Sequence, residues 1–214
     1  MKEKYVITIG RQLGSGGKQI GEMLSAKLDI PCYDKELILL ASKESGLRTE
    51  FFEQADEKSG FSLMGGLFGL SSYSGGDIYT NNYLCNESLF KIQSDVIREL
   101  AGKQPCIFVG RCADYILRNH PNHFSVFISA DIKDRIERVA KKDNLSEEKA
   151  KALIEQTDKK RAGYYNYYSN KIWGMATSYD LCINSSVFGI EEATDCILRF
   201  AEKSFDRIQF LNPN

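Results

Sequence analysis

The stretch Ile7-Thr8-Ile9-Gly10-Arg11-Gln12-Leu13-Gly14-Ser15-Gly16-Gly17-Lys18-Gln19 decides the fold. Tyr5, Val6, Ile7 and Ile9 make an apolar, largely β-branched run that stops at the glycines. Past them, Ile20, Leu24 and Leu28 recur every fourth residue, the spacing of one helix face. A strand, a glycine loop and a helix N-terminus in that order form a cradle for anions. Successive backbone N–H groups and the positive end of the helix dipole converge on one spot. A nucleotide phosphate suits that arrangement best.

The spacing departs from the standard phosphate loop, Gly-x-x-x-x-Gly-Lys-Ser/Thr, in which the lysine neutralises phosphate and the hydroxyl serves magnesium. Gly14, Ser15 and Gly16 fit the end of such a loop, but Gly17 stands where the lysine belongs. If Lys18 is taken as the lysine, the opening glycine falls on Gln12 and the next residue is Gln19, which has no hydroxyl. Arg11 and Lys18 are the two cations able to replace the missing charge. Glycines serving only a tight turn are the plainer reading, yet four of them between Gly10 and Gly17 exceed what a turn requires.

Working outward, short apolar runs alternate with helical patterns. Asp34 to Ser45, Thr49 to Lys58 and about Asn82 to Gly102 read as helices, the last with Leu89, Ile92, Val96 and Leu100 as its stripe. Cys106-Ile107-Phe108-Val109 and Phe124 to Ile128 read as strands, and Asp131 to Lys142 as a helix. Ser146-Glu147-Glu148 opens the next helix with a capping serine and acids in its first turn. Leu181-Cys182-Ile183 is a late strand, and Ile190, Ala193, Ile197 and Phe200 mark a closing helix. Continuous apolar strands between helices predict an α/β fold of three layers, α/β/α, around a central parallel sheet. Ser59 to Gly76 is rich in glycine and serine yet keeps Phe61, Leu63, Met64, Leu67, Phe68 and Leu70, and reads as a flap or partner-contact segment.

Composition excludes several classes. A net charge of −1 over 214 residues argues against broad nucleic-acid binding. No apolar run reaches the roughly 18 residues of a membrane span, and Met1 to Tyr5 runs into the first strand without a secretory leader, so a cytoplasmic location is expected. The six cysteines form no C-x-x-C pair and read as buried small residues of a reduced protein. His120 and His123 flank a Pro121-Asn122 turn, and no resident metal site is expected.

Ligands of parallel sheets sit at the carboxyl ends of the strands. Arg111 lies just past one such end, after Gly110, and Asp34 follows the short run Ile30 to Tyr33. From Asp131 to Lys171 there are eleven Lys or Arg against eight Asp or Glu. There Asp158 and Arg161 fall on one helix face, followed by Tyr164, Tyr165, Tyr167 and Tyr168. Side-chain pairs on a solvated helix explain part of this charge. A cationic lid carrying Lys160 and Arg161 over a polyphosphate explains it as well, since phosphoryl transfer needs positioning and positive charge above all.

Together these residues resemble the nucleoside monophosphate kinases, and among them the cytidylate kinase-like family. The likeness rests on Ile7-Thr8-Ile9 before the glycine loop, Tyr33-Asp34-Lys35-Glu36-Leu37, Val109-Gly110-Arg111, Asp158-x-x-Arg161 and Tyr179-Asp180-Leu181. The resemblance implies a single phosphate-loop kinase domain over 1–214, with an acceptor-binding or flap insertion at about 34–83 and a helical lid at about 142–172. It also implies transfer of the γ-phosphate of ATP, with Mg²⁺, to a small acceptor such as a nucleoside monophosphate. Arg11, Gly14, Ser15, Gly16, Gly17, Lys18 and Gln19 would then hold the donor. Asp34, Lys35, Arg111, Asp114, Asp158, Lys160 and Arg161 would hold the acceptor, and Lys18, Arg111 and Arg161 would carry the catalytic charge. Asp34 and Asp114 are the carboxylates nearest in type to a magnesium shell.

The chain departs from the cytidylate kinases proper, which carry Gly-Lys-Gly-Thr in the loop and Asp-Gly-Arg-Asp after the third strand. Here those read Gly16-Gly17-Lys18-Gln19 and Val109-Gly110-Arg111-Cys112. A nucleotide-binding regulatory protein without turnover is therefore the competing reading.

Overall fold

The computed structural model describes residues 4–34 and 78–211. Lys35, the helices expected beyond Asp34 and over Thr49 to Lys58, and the Ser59 to Gly76 segment lie outside the described residues. The chain divides into two units, residues 1–35 with 97–214, and residues 36–96. The described part of the second unit is the first portion of one long helix.

In chain order the described elements are β1 (Val6–Arg11), α1 (Gly17–Leu28), β2 (Cys32–Tyr33), α2 (Ile78–Lys103), β3 (Cys106–Val109) and α3 (Ala113–Ile116). They continue with β4 (His123–Ser129), α4 (Ile132–Asp143), α5 (Glu147–Ser169), a 3-10 turn at Ala176–Ser178, β5 (Leu181–Asn184) and α6 (Ser185–Leu211). The last helix is interrupted at Gly189, whose backbone leaves helical geometry.

The strands form one parallel sheet of five in the order β2-β3-β1-β4-β5. Ile7 sits opposite Ile107 on β3 and Phe124 on β4. The expected parallel sheet flanked by helices is what the chain builds. One face of the sheet presents Ile7, Ile9, Ile107, Val109, Val126, Ile128 and Ile183. Against them pack Ile20 and Leu24 of α1 and Ala193, Ile197 and Ala201 of α6. Each of the large side chains there contributes about 1.5–3 kcal/mol by leaving water. The opposite face mixes rings with satisfied polar groups. Tyr33 stacks on Phe108 at 5.4 Å, and Phe127 meets Trp173 at 5.1 Å. Thr8 Oγ1 bonds His123 Nε2 at 2.8 Å, and both the N–H and hydroxyl of Ser125 donate to Asp180.

Two expectations shift. The buried face of α2 is broader than the stripe read from its sequence. Ile97 and Ala101 are fully covered while Leu100 is only half-buried, because core residues at adjacent positions widen the face. The cysteines do not behave alike. Cys106 and Cys112 are buried, but Cys182 is exposed, since β5 is the edge strand with one flank open. Pro121 and Asn122 form the expected turn, and His123 after it begins β4 and turns its ring inward to Thr8.

Candidate functional site

β1 ends at Arg11, and the chain turns back into α1 through Gly14 and Gly16, both with φ near +80° (78° and 80°). Residues with a Cβ adopt that conformation at a cost of about 1–2 kcal/mol, so glycine is required there. Ile20 donates the first intrahelical bond, to Gly16 O at 2.9 Å. The amides of Gly17, Lys18 and Gln19 therefore stand ahead of the helical ladder, at the positive end of its dipole.

The loop is held from outside by side chains. Ser15 Oγ donates to Gln12 O at 2.9 Å, and Ser185 Oγ donates to Ser15 O at 2.8 Å. Leu13 inserts into an apolar cluster of α4 and α5 made by Val139, Ala150 and Ile154. Its N–H donates to Asp158 Oδ1 at 2.9 Å, and its carbonyl accepts from Arg135 Nε at 2.7 Å. Arg135 closes the ring with an ion pair to Asp158. Arg138 Nη1 donates to Gly14 O at 3.1 Å and to Ser185 Oγ at 3.2 Å. Gln12 Oε1 accepts from Ala130 N, which ties the loop to the end of β4.

Around this loop three guanidinium groups gather, from Arg11, Arg111 and Arg161. Arg161 Nη1 donates to Arg11 O at 3.0 Å, bringing α5 onto the end of β1. Arg111 follows Gly110 in a run of left-handed residues, with φ of 83°, 60° and 53° at Gly110, Arg111 and Cys112. Such backbone is strained at non-glycine positions and persists where the surroundings fix it. Its buried Nη2 has no hydrogen-bond partner among the described residues. Its Cζ lies 5.9 Å from the ring centre of Tyr164. Burial, and then the charges of Arg161 and Arg111, draw the Arg11 guanidinium down to about 9, with Asp34 and Asp158 opposing. Burial acts first on Arg161 too, with Arg135 and Arg111 pushing the same way and Asp158 opposing. Like charges packed this closely repel unless an anion joins them.

The expected site residues separate accordingly. Gly14, Ser15, Gly16, Gly17 and Arg11 form the loop and its rim, and Arg111 and Arg161 lie close to Arg11. Lys18 pairs with Asp34 at 2.8 Å, joining the first turn of α1 to the end of β2. Gln19 and Lys160 are exposed, and no described contact brings Lys160 to the arginines. Asp158 spends both carboxylate oxygens on the loop and Arg135. Asp114 is buried and accepts the hydroxyl of Tyr165 at 2.7 Å, with burial raising its carboxyl pKa. Arg135, Arg138 and Ser185 were not picked out from sequence. Arg135 does carry a signal, for it sits between Ile132 and Val139 on the apolar stripe of α4, where a charge needs a buried partner.

Among the described residues no three His, Cys, Asp or Glu side chains gather as a metal cage. Magnesium keeps several waters and takes one or two carboxylates plus substrate phosphates. The donor set fits magnesium carried in on a nucleotide, with Asp34, paired to Lys18 at the start of α1, as the carboxylate that would serve it, since Asp158 is taken up by Leu13 and Arg135. No helix among the described residues is long and apolar enough to cross a membrane.

The cytidylate kinase-like family matches the chain over residues 6–187. None of the curated proteins compared matches it. Among solved structures, the chain is similar to an uncharacterised protein of Eubacterium ventriosum, at 28% identity and TM-score 0.72, covering 94% of this chain and 99% of that one. It shares its fold with shikimate kinase from Bacteroides thetaiotaomicron, at 13% identity and TM-score 0.52, covering 92% and 98%.

Proposed function

This chain belongs to the cytidylate kinase-like family, and on that footing we propose that it transfers the γ-phosphoryl group of ATP to a small acceptor, a nucleoside monophosphate. The observation that carries the reading is the arginine cluster at the loop, with the buried Arg111 Nη2 left without an acceptor. A donor N–H buried without a partner costs about 1–3 kcal/mol. Three guanidinium groups around amides aimed outward satisfy themselves together only when several anionic oxygens arrive. A polyphosphate has that chemistry.

In this mechanism the amides of the Gly14 to Lys18 loop and Arg11 hold the donor phosphates. Arg111, just past the end of β3, holds the acceptor phosphate. Arg161 reaches both, since α5 seats it against the carbonyl of Arg11. It neutralises charge on the group in transit, where fixed donors act without reorganising. Asp34, which pairs with Lys18, would help hold the magnesium that accompanies ATP, and that ion would neutralise the donor's oxygens. Asp158 and Asp114 position rather than touch substrate. Asp158 shapes the loop, and Asp114 anchors α5 through Tyr165.

The test is ATP consumption with magnesium against a panel of nucleoside monophosphates. Turnover with one acceptor, lost in Arg111→Ala and in Arg161→Ala, is the expected result. The glycine at 17 and the absent hydroxyl at 19 favour a second reading, a regulatory protein that binds nucleotide and keeps it. ATP binding with no turnover for any acceptor would select it.

A further inference from the structure

Two glycines of the site lie directly against one arginine. A Cβ placed at Gly17 would lie 2.5 Å from Arg11 Cβ and 2.9 Å from its Cγ. Those atoms are the root of the arginine, not its flexible end, so no side chain at 17 coexists with Arg11 as it stands. A Cβ at Gly110 would lie 2.0 Å from Arg11 Nη1 and 2.9 Å from Cζ. The arginine therefore runs over Gly17 with its stem and over Gly110 with its head, from the start of α1 toward Arg111.

Gly17 is also the position at which the standard phosphate loop bears its lysine. We infer that Arg11 and Gly17 are an exchanged pair, in which the donor-phosphate cation has moved from the helix to the end of β1. Gly17 is glycine because Arg11 fills the volume beside it, and Lys18 is not the replacement. The inference rests on the donor reading above and goes further by choosing between two candidate cations. Lys18 has its ammonium on Asp34 at 2.8 Å, on an exposed side chain. The Arg11 guanidinium instead lies over Gly110, at the end of β3 beside Arg111. Its charged neighbours are Arg161 and Arg111 against Asp34 and Asp158, and burial with the two arginines outweighs the carboxylates, so a further anion is favoured beside it. The ligand class is the β- and γ-phosphates of a nucleoside triphosphate, which a guanidinium can grip with two parallel donors.

The experiment measures affinity for ATP with magnesium, and for inorganic tripolyphosphate as a probe without a base, by calorimetry. Arg11→Met keeps the stem against Gly17 and removes the charge. It should weaken both ligands by about tenfold to a hundredfold, the worth of a charged hydrogen bond. Gly17→Lys alone should also lose binding, because the new side chain collides with Arg11. The double variant Arg11→Ala/Gly17→Lys should recover affinity to within several-fold of wild type, while Lys18→Ala changes it by no more than about threefold. Thermal unfolding of each variant separates lost binding from lost structure.

Undiminished binding by folded Arg11→Met overturns the inference, as does a large loss in Lys18→Ala. A folded double variant that binds no better than Arg11→Met overturns the exchange. If the wild-type protein binds neither ATP nor tripolyphosphate, the donor reading itself fails, a result distinct from all of these.

Discussion

Replacing Asp158 with alanine tests whether this residue shapes the loop or touches a substrate. Its carboxylate is the only described counter-charge bonded to Arg135, a side chain just 7% exposed, and the acceptor for Leu13 N–H at 2.9 Å. Removing one partner of a buried ion pair leaves the other charged and dry, which costs about 3–5 kcal/mol. In a chain of this size each kcal/mol lowers the melting temperature by about 2–4 °C. Asp158→Ala should therefore melt about 6–20 °C below wild type. The paired change Arg135→Met/Asp158→Leu discriminates further. An apolar pair of similar volume often matches or exceeds the stability of the ion pair it replaces, so the double variant should recover most of the loss. Urea and thermal unfolding of the wild type, the single variant and the double variant supply the measurement. If Asp158→Ala unfolds at the wild-type midpoint yet loses acceptor binding, the carboxylate belongs to the substrate and the bracing argument is wrong.

Further tests address other parts of the molecule. Burial holds the His123 imidazole near 4, well below the 6.5 of an exposed ring. Its neutral form therefore favours the fold above pH 6.5, and that contribution shrinks as the pH falls toward 4. The loss reaches about 2 kcal/mol by pH 5, and His123→Asn should flatten the acid side of a stability-against-pH curve. At Arg111 (φ 60°) glycine relieves a left-handed strain that alanine keeps. Arg111→Gly should thus be more stable than Arg111→Ala by about 1 kcal/mol while both lose turnover, and equal stability would deny the strain. The Lys18–Asp34 pair has an exposed lysine, so Lys18→Ala should change unfolding free energy by less than about 1 kcal/mol. Chelating magnesium should abolish phosphoryl transfer and leave the melting temperature of the nucleotide-free protein unchanged.

The sheet could be read directly from the chain because its strands are buried on both faces and so appear as unbroken apolar runs. Ile7 to Ile9, Cys106 to Val109 and Phe124 to Ile128 all carry that mark. The loop was equally visible, since glycine at a left-handed turn is a local requirement. What sequence could not supply was partnership across distance. Asp158 and Arg161 share a helix face, as their spacing demands, but spacing does not say that the carboxylate meets Leu13 or that the guanidinium meets a carbonyl 150 residues away. Lys160, one step round the same helix, points to solvent. Asp114 followed an expected binding turn, yet its buried neighbour is a tyrosine hydroxyl. A motif scan likewise treats Gly17 as a lost lysine, because it compares positions along the chain and not the space that Arg11 fills.

Leu13 is fixed by α4 and α5 at its side chain, its N–H and its carbonyl, and α5 also carries Arg161 and, through Tyr165, the tie to α3 beside Arg111. On the proposed reading, donor and acceptor ends are both braced through α5, so occupancy of either is expected to alter affinity at the other. Thermodynamic reciprocity makes the two factors equal. Titrating ATP with and without acceptor, and then acceptor with and without a non-hydrolysable ATP analogue, would return the same ratio twice.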